Sequence, residues 1–438
     1  MNCITNCLFF NTNSEFHDLF RIITQRLDHF SGEDMTTCTK KNYLPVFFDI
    51  ESTGLSPKSS HLYMLGLCHP DTTVNTEGQF DNAQFDTDTD QFDPDSEIRW
   101  KTIQWFPPKP TAEKALIEEF FSYFKKLSED FIPLLIHYNG DRFDLPYMES
   151  KCSFYELENL LGSCPSLDIY RMIRPLKSFL GLTSLRQKDI EAFCAITRVD
   201  QYSGKELINV YKEYVQTASP SLLELLFQHN ADDLSGMPQI FRMLSYSLLF
   251  QGQIIPEKID LSDDLVKANT DADLIHTGTD TVCGEVLANI YDSPSEERIC
   301  ISADMPFVFP LPLRRENRYG SLLLCNRKIY LQLSLQSTVM YHFFENYKDY
   351  YYLPAEDCAI HKSIGQFVET AHRKKASRNN CYQKKNDCYL PQPELLFSPV
   401  FYDSPDKKQA FFPAACLERA DAEILRSYLF SLIESFRK

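Results

Sequence analysis

Asp49 and Glu51 stand two residues apart in the stretch Val46-Phe47-Phe48-Asp49-Ile50-Glu51-Ser52-Thr53-Gly54-Leu55. In a strand, Phe47, Asp49 and Glu51 share one face while Val46, Phe48 and Ile50 share the other. Two carboxylates then project together from the rim of an apolar strand. Hard divalent cations prefer oxygen ligands, so such a pair suits a metal. Taken alone, an Asp-x-Glu more often marks a strand running out into solvent, where charged residues mostly lie.

A metal-dependent hydrolase needs further acids at strand and helix ends. Asn139-Gly140-Asp141-Arg142-Phe143-Asp144-Leu145-Pro146 follows a short apolar run, with Gly140 permitting a tight turn and Pro146 at an early helical position. Asp144 sits where that helix begins, and on its own reads as an N-cap. In His229-Asn230-Ala231-Asp232-Asp233-Leu234, His229 and Asp233 are four apart and share one helical face, with Asp232 turned away and free to be solvated. Alone, a His–Asp pair of this spacing is a surface interaction.

Together, Asp-x-Glu-x-Thr-Gly-Leu, Asn-Gly-x-x-Phe-Asp-x-Pro and His-Asn-x-x-Asp, in this order and spacing, resemble the three exonuclease motifs of the DEDD (DnaQ-like) superfamily. The resemblance is closest to its YprB-like ribonuclease H-like domain. Ser166-Leu167-Asp168-Ile169-Tyr170, the segment Thr183-Ser184-Leu185 leading to Glu191, and Arg198-Val199-Asp200-Gln201-Tyr202-Ser203-Gly204 match as well. The similarity covers roughly residues 44–250, about half the chain.

This resemblance implies a ribonuclease H-like mixed sheet covered by helices, with Asp49, Glu51, Asp144 and Asp233 as the metal-binding acids. Two ions, Mg²⁺ or Mn²⁺, would lie about 4 Å apart, with Asp49 bridging them. The implied activity is metal-dependent 3′–5′ exonucleolytic hydrolysis of single-stranded DNA or RNA. The superfamily divides by the residue that orients or deprotonates the water, either a Tyr four before the last Asp or a His five before it. His229 departs from both, being a histidine four before Asp233. An unperturbed histidine titrates near neutrality and could act as general base. Asp168 is expected to cap a helix.

To position these residues, three strands are expected, around 44–52, 61–68 and 99–106, then a helix from Thr111 to about Lys126 and a buried strand at 133–138. Residues 145–250 read almost wholly as helices. Before residue 44 the pattern gives a helix, Glu15 to Phe30, and a polar linker. After about 252 the texture becomes β-rich, with strands expected at 282–291, 298–302 and 306–312, a hairpin over Gly320 to Gln336 turning at Asn326-Arg327, and a closing helix from Ala420 to Phe436. The expected organisation is therefore 1–43 helix and linker, 44–251 exonuclease domain, and 252–438 a smaller β-rich domain of unknown role.

The 438 residues carry a net charge of -17. Nine of the acidic residues fall between Asp71 and Glu97 without a single Lys or Arg, so the remainder carries -17 + 9 = -8. That segment, 70–97, reads as a mobile insertion between strands, with protein docking as an alternative use. The overall acidity therefore does not exclude a nucleic-acid partner. The 14 cysteines include no CxxC pair, which fits reduced, mostly buried thiols. Cys358, His361, His372, Cys381 and Cys388 match no common zinc-site spacing.

The β-rich region offers one polar feature, His372-Arg373-Lys374-Lys375-Ala376-Ser377-Arg378 with Tyr382, Lys384 and Lys385, while the run Tyr350-Tyr351-Tyr352 reads as core rather than a stacking platform. Such a cluster could track a nucleic-acid backbone, or be a solvated helix face. Thr53, Asn139, Arg373, Lys374, Lys375 and Arg378 are the expected nucleic-acid contacts. No basic-then-apolar leader and no membrane-length apolar run is present, so a cytoplasmic protein without a membrane partner is expected. A protein partner could dock on 70–97 or on the second domain. Two other classes remain open: a catalytically weak nucleic-acid-binding or scaffold protein on the same fold, and a structure-specific endonuclease.

Overall fold

A central strand, β2 (Tyr43–Ser52), organises the first part of the chain. The computed structural model describes residues 3–13, 15–31, 42–71, 97–200, 202–251, 259–262 and 298–437. These fall into two compact units, Met1–Ser247 and Leu248–Lys438. The acidic segment between Asp71 and Glu97 and the run 282–291 lie outside the described residues.

In the first unit β2 runs antiparallel to β3 (Leu62–Pro70) and parallel to β5 (Ile132–His137). With β1 (Ile4–Asn13), β4 (Glu97–Phe106) and β6 (Ser166–Asp168) they form a mixed sheet in the order β1-β4-β3-β2-β5-β6. The expected alternation of β2 holds. Val46, Phe48 and Ile50 join Leu116, Ile117, Phe120 and Phe124 of helix α2 (Glu113–Asp130) in one core. On the opposite face Phe47 meets Phe16, Trp100 and Phe241 edge-on or tilted. Phe16 belongs to helix α1 (Glu15–Ser31).

Two elements were not visible in the sequence. β1 pairs with β4 along its whole length, although only a helix and linker were expected before residue 44. It is an edge strand whose Ile4, Leu8 and Phe9 are exposed, so no buried face imposes a clean alternation. β6 is three residues long and interrupts the region expected to be helical; it is too short to leave a periodicity.

Helices α3 (Asp144–Tyr155), α4 (Ile169–Ile173), α5 (Gln187–Phe193), α6 (Gly204–Thr217) and α7 (Pro220–Ile240) complete the unit. α7 crosses the sheet face that carries Asp49 and Glu51. A Cβ on Gly66 would lie 2.5 Å from both Asn230 Oδ1 and Leu234 Cδ1, so the missing side chain lets α7 rest on β3.

The second unit is β-rich, as expected. Its described strands form a five-stranded antiparallel sheet, a small closed barrel and a three-stranded sheet. The hairpin turns at Asn326-Arg327, with Asn326 in the left-handed region (φ 52), and helix Ala422–Arg437 ends the described chain. The strand expected at 306–312 is irregular, and the next strand is Leu313–Asn317. Pro306, Pro310 and Pro312 explain this, because proline donates nothing to a ladder. Cys358, His361, His372, Cys381 and Cys388 do not converge on a ligand group among the described residues. Among the described residues eleven cysteines are free, and Cys7 is the exposed one of these; Cys325 is disulfide-bonded and departs from the expected reduced thiols. Among the described residues no helix is long and apolar enough to cross a membrane.

Candidate active site

Four carboxylates reach one place from three elements. Asp49 and Glu51 come from β2, Asp144 from the start of α3, and Asp233 from α7. Asp49 Oδ2 accepts the side-chain amide of Asn230 at 2.7 Å, and Glu51 Oε2 accepts the Tyr63 hydroxyl at 3.2 Å. Asp144 Oδ1 accepts the backbone N–H of Ile50 at 3.3 Å. The N-cap reading of Asp144 does not hold: Phe143 occupies the cap position and Asp144 is the first helical residue, its side chain turned to β2 instead.

Burial dominates the electrostatics, with like charges adding to it. Burial, then the charges of Asp233, Asp144 and Glu51, push Asp49 well above the usual carboxylate range. Burial raises Glu51 to about 7 against the pull of His229. Burial likewise raises Asp144 to about 7, although backbone N–H groups favour its charged form.

The turn that delivers Asp144 is held from below. Asp168 caps α4 by accepting the N–H of Arg171 at 3.2 Å, as expected, and also accepts the N–H of Asn139 at 2.9 Å and of Asp141 at 3.4 Å. Asn139 supplies the left-handed residue of this turn (φ 64). Gly140 is needed for space, not for its backbone angle, since a Cβ there would meet the His137 ring at 2.6 Å. His137, Asp141 and Asp168 form a second group of metal-type donors. Most of Asp168's acceptor capacity is already committed to these backbone groups.

His229 is almost fully buried between acids. Its Nδ1 lies 2.5 Å from Asp200 Oδ2, while Nε2 stands 3.5 Å from Glu51 Oε1 and 3.4 Å from Asp233 Oδ2. Burial pulls its pKa down, but Glu51, Asp233 and Asp200 outweigh burial and raise it. Asp233 is shared further: its Oδ1 accepts Arg198 Nη1 at 2.7 Å, and the same nitrogen reaches Glu191 Oε2 at 3.0 Å. Glu191 is fully buried, so Arg198 neutralises a carboxylate that has no access to water.

Asn230, Asp200, Arg198 and Glu191 were not expected to take part in the site. All four lie in or beside the matching segments, which is the one signal available. Nothing local shows that 198–200 folds back onto α7, 29 residues away at His229 and 35 at Asp233. Asp232, expected to be solvated, clamps that fold-back by accepting the N–H of Val199 at 3.0 Å and of Asp200 at 2.7 Å.

The expected nucleic-acid contacts divide. Thr53 follows β2 directly and its Oγ1 accepts the N–H of His61 at 3.1 Å; Asn139 lies in the turn before Asp144. Arg373, Lys374, Lys375 and Arg378 belong to the other unit. Lys374 and Lys375 form a short strand paired with Tyr352 and Tyr351, which corrects the helix-face alternative. The Arg373 guanidinium lies 4.6 Å from the Tyr351 ring centre, and that of Arg378 is 5.9 Å from the Tyr347 ring.

Residues 92–245 match the family model of the RNase_H superfamily, and this part of the chain is an RNase H-like domain. The matched segment begins after Asp49 and Glu51, which join it through the parallel pairing of β2 with β5. Among solved structures, the family B DNA polymerase of the hyperthermophilic archaeon Pyrobaculum calidifontis is similar at 14% identity and a TM-score of 0.33, over 49% of this chain and 26% of the polymerase. A product-bound exonuclease I is similar at 11% identity and a TM-score of 0.29, over 65% of this chain and 59% of the enzyme. An exonuclease I complex with SSB-Ct gives 13% and 0.24, over 65% and 56%. The chain thus spans about a quarter of the polymerase and under two thirds of exonuclease I. No curated protein matches the chain.

Proposed function

We propose that the Met1–Ser247 unit is a divalent-metal-dependent nuclease that hydrolyses phosphodiester bonds of single-stranded DNA or RNA from the 3′ end. The observation that carries this reading is the convergence of Asp49, Glu51, Asp144 and Asp233 on one partly buried site, with three of them pushed upward in pKa. Acids gathered at such electrostatic cost, on an RNase H-like domain, fit a site completed by cations. The donor set is mostly carboxylate oxygen, which suits Mg²⁺ or Mn²⁺.

Asp49, Glu51, Asp144 and Asp233 would hold the ions, whose chemistry when bound is to activate a water and offset the charge gathering on the phosphate. Asn230 fixes the Asp49 carboxylate in one orientation. The Ile50 N–H does the same for Asp144, and Arg198 for Asp233. Thr53, two residues after Glu51, and Asn139, in the turn before Asp144, would contact the terminal nucleotide.

Digestion of 5′-labelled DNA and RNA oligonucleotides with Mg²⁺ or Mn²⁺ tests the proposal, with Asp49→Ala alongside. The expected outcome is a ladder growing from the 3′ end that the variant loses. Binding without cleavage in both proteins overturns it. Internal cuts at early times would make the enzyme an endonuclease.

One observation favours a second reading. Arg198 already supplies a positive charge to Asp233, and a site that carries its own cation could bind nucleic acid with little or no catalysis.

A further inference from the structure

Any reading of this centre must account for His229 Nε2. His229 is 9% exposed, and its Nε2 makes no hydrogen bond among the described residues. The nitrogen lies instead between two carboxylate oxygens, at 3.5 Å from Glu51 Oε1 and 3.4 Å from Asp233 Oδ2. Metal–ligand bonds of about 2.1 Å, at angles of about 90–110°, place donor atoms about 3.0–3.5 Å apart. These spacings match the edges of a coordination polyhedron. All three donor atoms fall within 4.8 Å of one another.

The other ring nitrogen supports the same conclusion. A histidine that binds metal characteristically donates its remaining N–H to a carboxylate, which fixes the tautomer and makes the free nitrogen a better donor. Here Nδ1 lies 2.5 Å from Asp200 Oδ2. Asp200 is itself held, its N–H given to Asp232 at 2.7 Å and its Oδ1 accepting the N–H of Tyr202 at 3.0 Å. A histidine serving only to pull a proton from water would need Nε2 open to that water. At this position both flanks of Nε2 are carboxylates. The four-residue spacing from Asp233 produces this, because His229 and Asp233 then lie on one line of α7 and aim at one point.

We propose that His229 Nε2 is a metal ligand that completes an N,O,O set with Glu51 and Asp233, with Asp200 as its positioning residue. The ion at this position is then a divalent transition metal, with Mn²⁺ bound in preference to Mg²⁺, because Mg²⁺ favours all-oxygen surroundings. Arg198 engages Oδ1 of Asp233 and leaves Oδ2 for the ion. The proposal rests on the acids being a metal centre but not on what the centre cleaves.

Electron spin-echo modulation of the full-length protein loaded with Mn²⁺ tests it without any activity assay. The wild type should show ¹⁴N modulation from a directly bound imidazole, and the ¹⁵N signature should replace it when the protein is grown on ¹⁵N-labelled histidine. His229→Gln should keep its fold by circular dichroism and lose the modulation. Asp200→Asn should weaken Mn²⁺ binding by about 10–100-fold in calorimetric titration. Bound Mn²⁺ without nitrogen modulation in the wild type overturns the ligand assignment and leaves the metal centre standing. Failure of the wild type to bind Mn²⁺ at all overturns both.

Discussion

The side-chain amide of Asn230 donates to Asp49 Oδ2 at 2.7 Å, tying helix α7 to the central strand at the first of the four acids. The same side chain is fully buried, and its Oδ1 accepts Gln104 Nε2 at 2.8 Å. Asn230→Ala therefore strips a partner from Asp49 and from Gln104 at once. A buried group left unsatisfied costs about 1–3 kcal/mol. Chemical denaturation should register a loss of that size, and the variant should also bind Mn²⁺ more weakly, since Asp49 is no longer held.

Arg198 pairs with three carboxylates, Glu191, Asp233 and, at 3.8 Å, Asp200, and Glu191 is fully buried, so loss of the arginine should act on stability through charge. Removing one partner of a buried ion pair costs about 3–5 kcal/mol. Arg198→Met should lose stability on that scale, and Arg198→Met with Glu191→Gln should recover much of it. Recovery separates the charge of Glu191 from lost packing. If the double variant is no more stable than the single one, the arginine acts through its bulk.

The acids also set a pH dependence. Glu51 and Asp144 are raised to about 7 in the folded protein, above the ordinary carboxylate values they regain on unfolding. The folded state then binds more protons in the window between those values and about 7, so stability is greatest below the window and falls as pH rises through it. In chelator, denaturation midpoints should drop from about pH 4.5 to about pH 7. Saturating Mn²⁺ should flatten the slope, since bound cations favour the charged carboxylates. Asp144→Asn should likewise flatten part of it in chelator, while removing a proposed metal donor.

Much of this site was legible because two periodicities expose it. Alternation along β2 put Asp49 and Glu51 opposite the core residues Val46, Phe48 and Ile50, and helical spacing put His229 beside Asp233. Asp168 as a cap followed from its place before a helix. The place of Asp144 at the start of a helix was legible but its partner was not, because the backbone group it binds, Ile50 N–H, lies 94 residues earlier. Arg198 and Asp200 escaped for the same reason, since a side chain on an irregular segment carries no periodicity to say what it faces. β1 was hidden because an exposed edge strand need not alternate, and three prolines undid the strand at 306–312.

Gly66 tests how closely α7 must rest on the sheet. Gly66→Ala would press a methyl group against Asn230 and Leu234 at 2.5 Å. Overpacking of this kind costs about 1–3 kcal/mol. Because the crowded residue also holds Asp49, hydrolysis should fall further than stability alone accounts for, measured well below the melting temperature. Loss of activity only where the protein unfolds would show that α7 tolerates displacement.

In the second unit, Lys374 and Lys375 are exposed and lie on a strand whose pairing uses backbone groups, so charge reversal should leave the fold intact. If these side chains neutralise phosphates, removing each lysine–phosphate pairing should reduce the salt dependence of single-strand binding by about 0.7 in the slope of log K against log salt. Lys374→Glu with Lys375→Glu should then weaken oligonucleotide binding and lower that slope by about 1.4. Melting temperature should not change, because neither lysine is buried. An unaltered slope would exclude these lysines from phosphate binding, and nucleic-acid binding would then rest on the first unit alone.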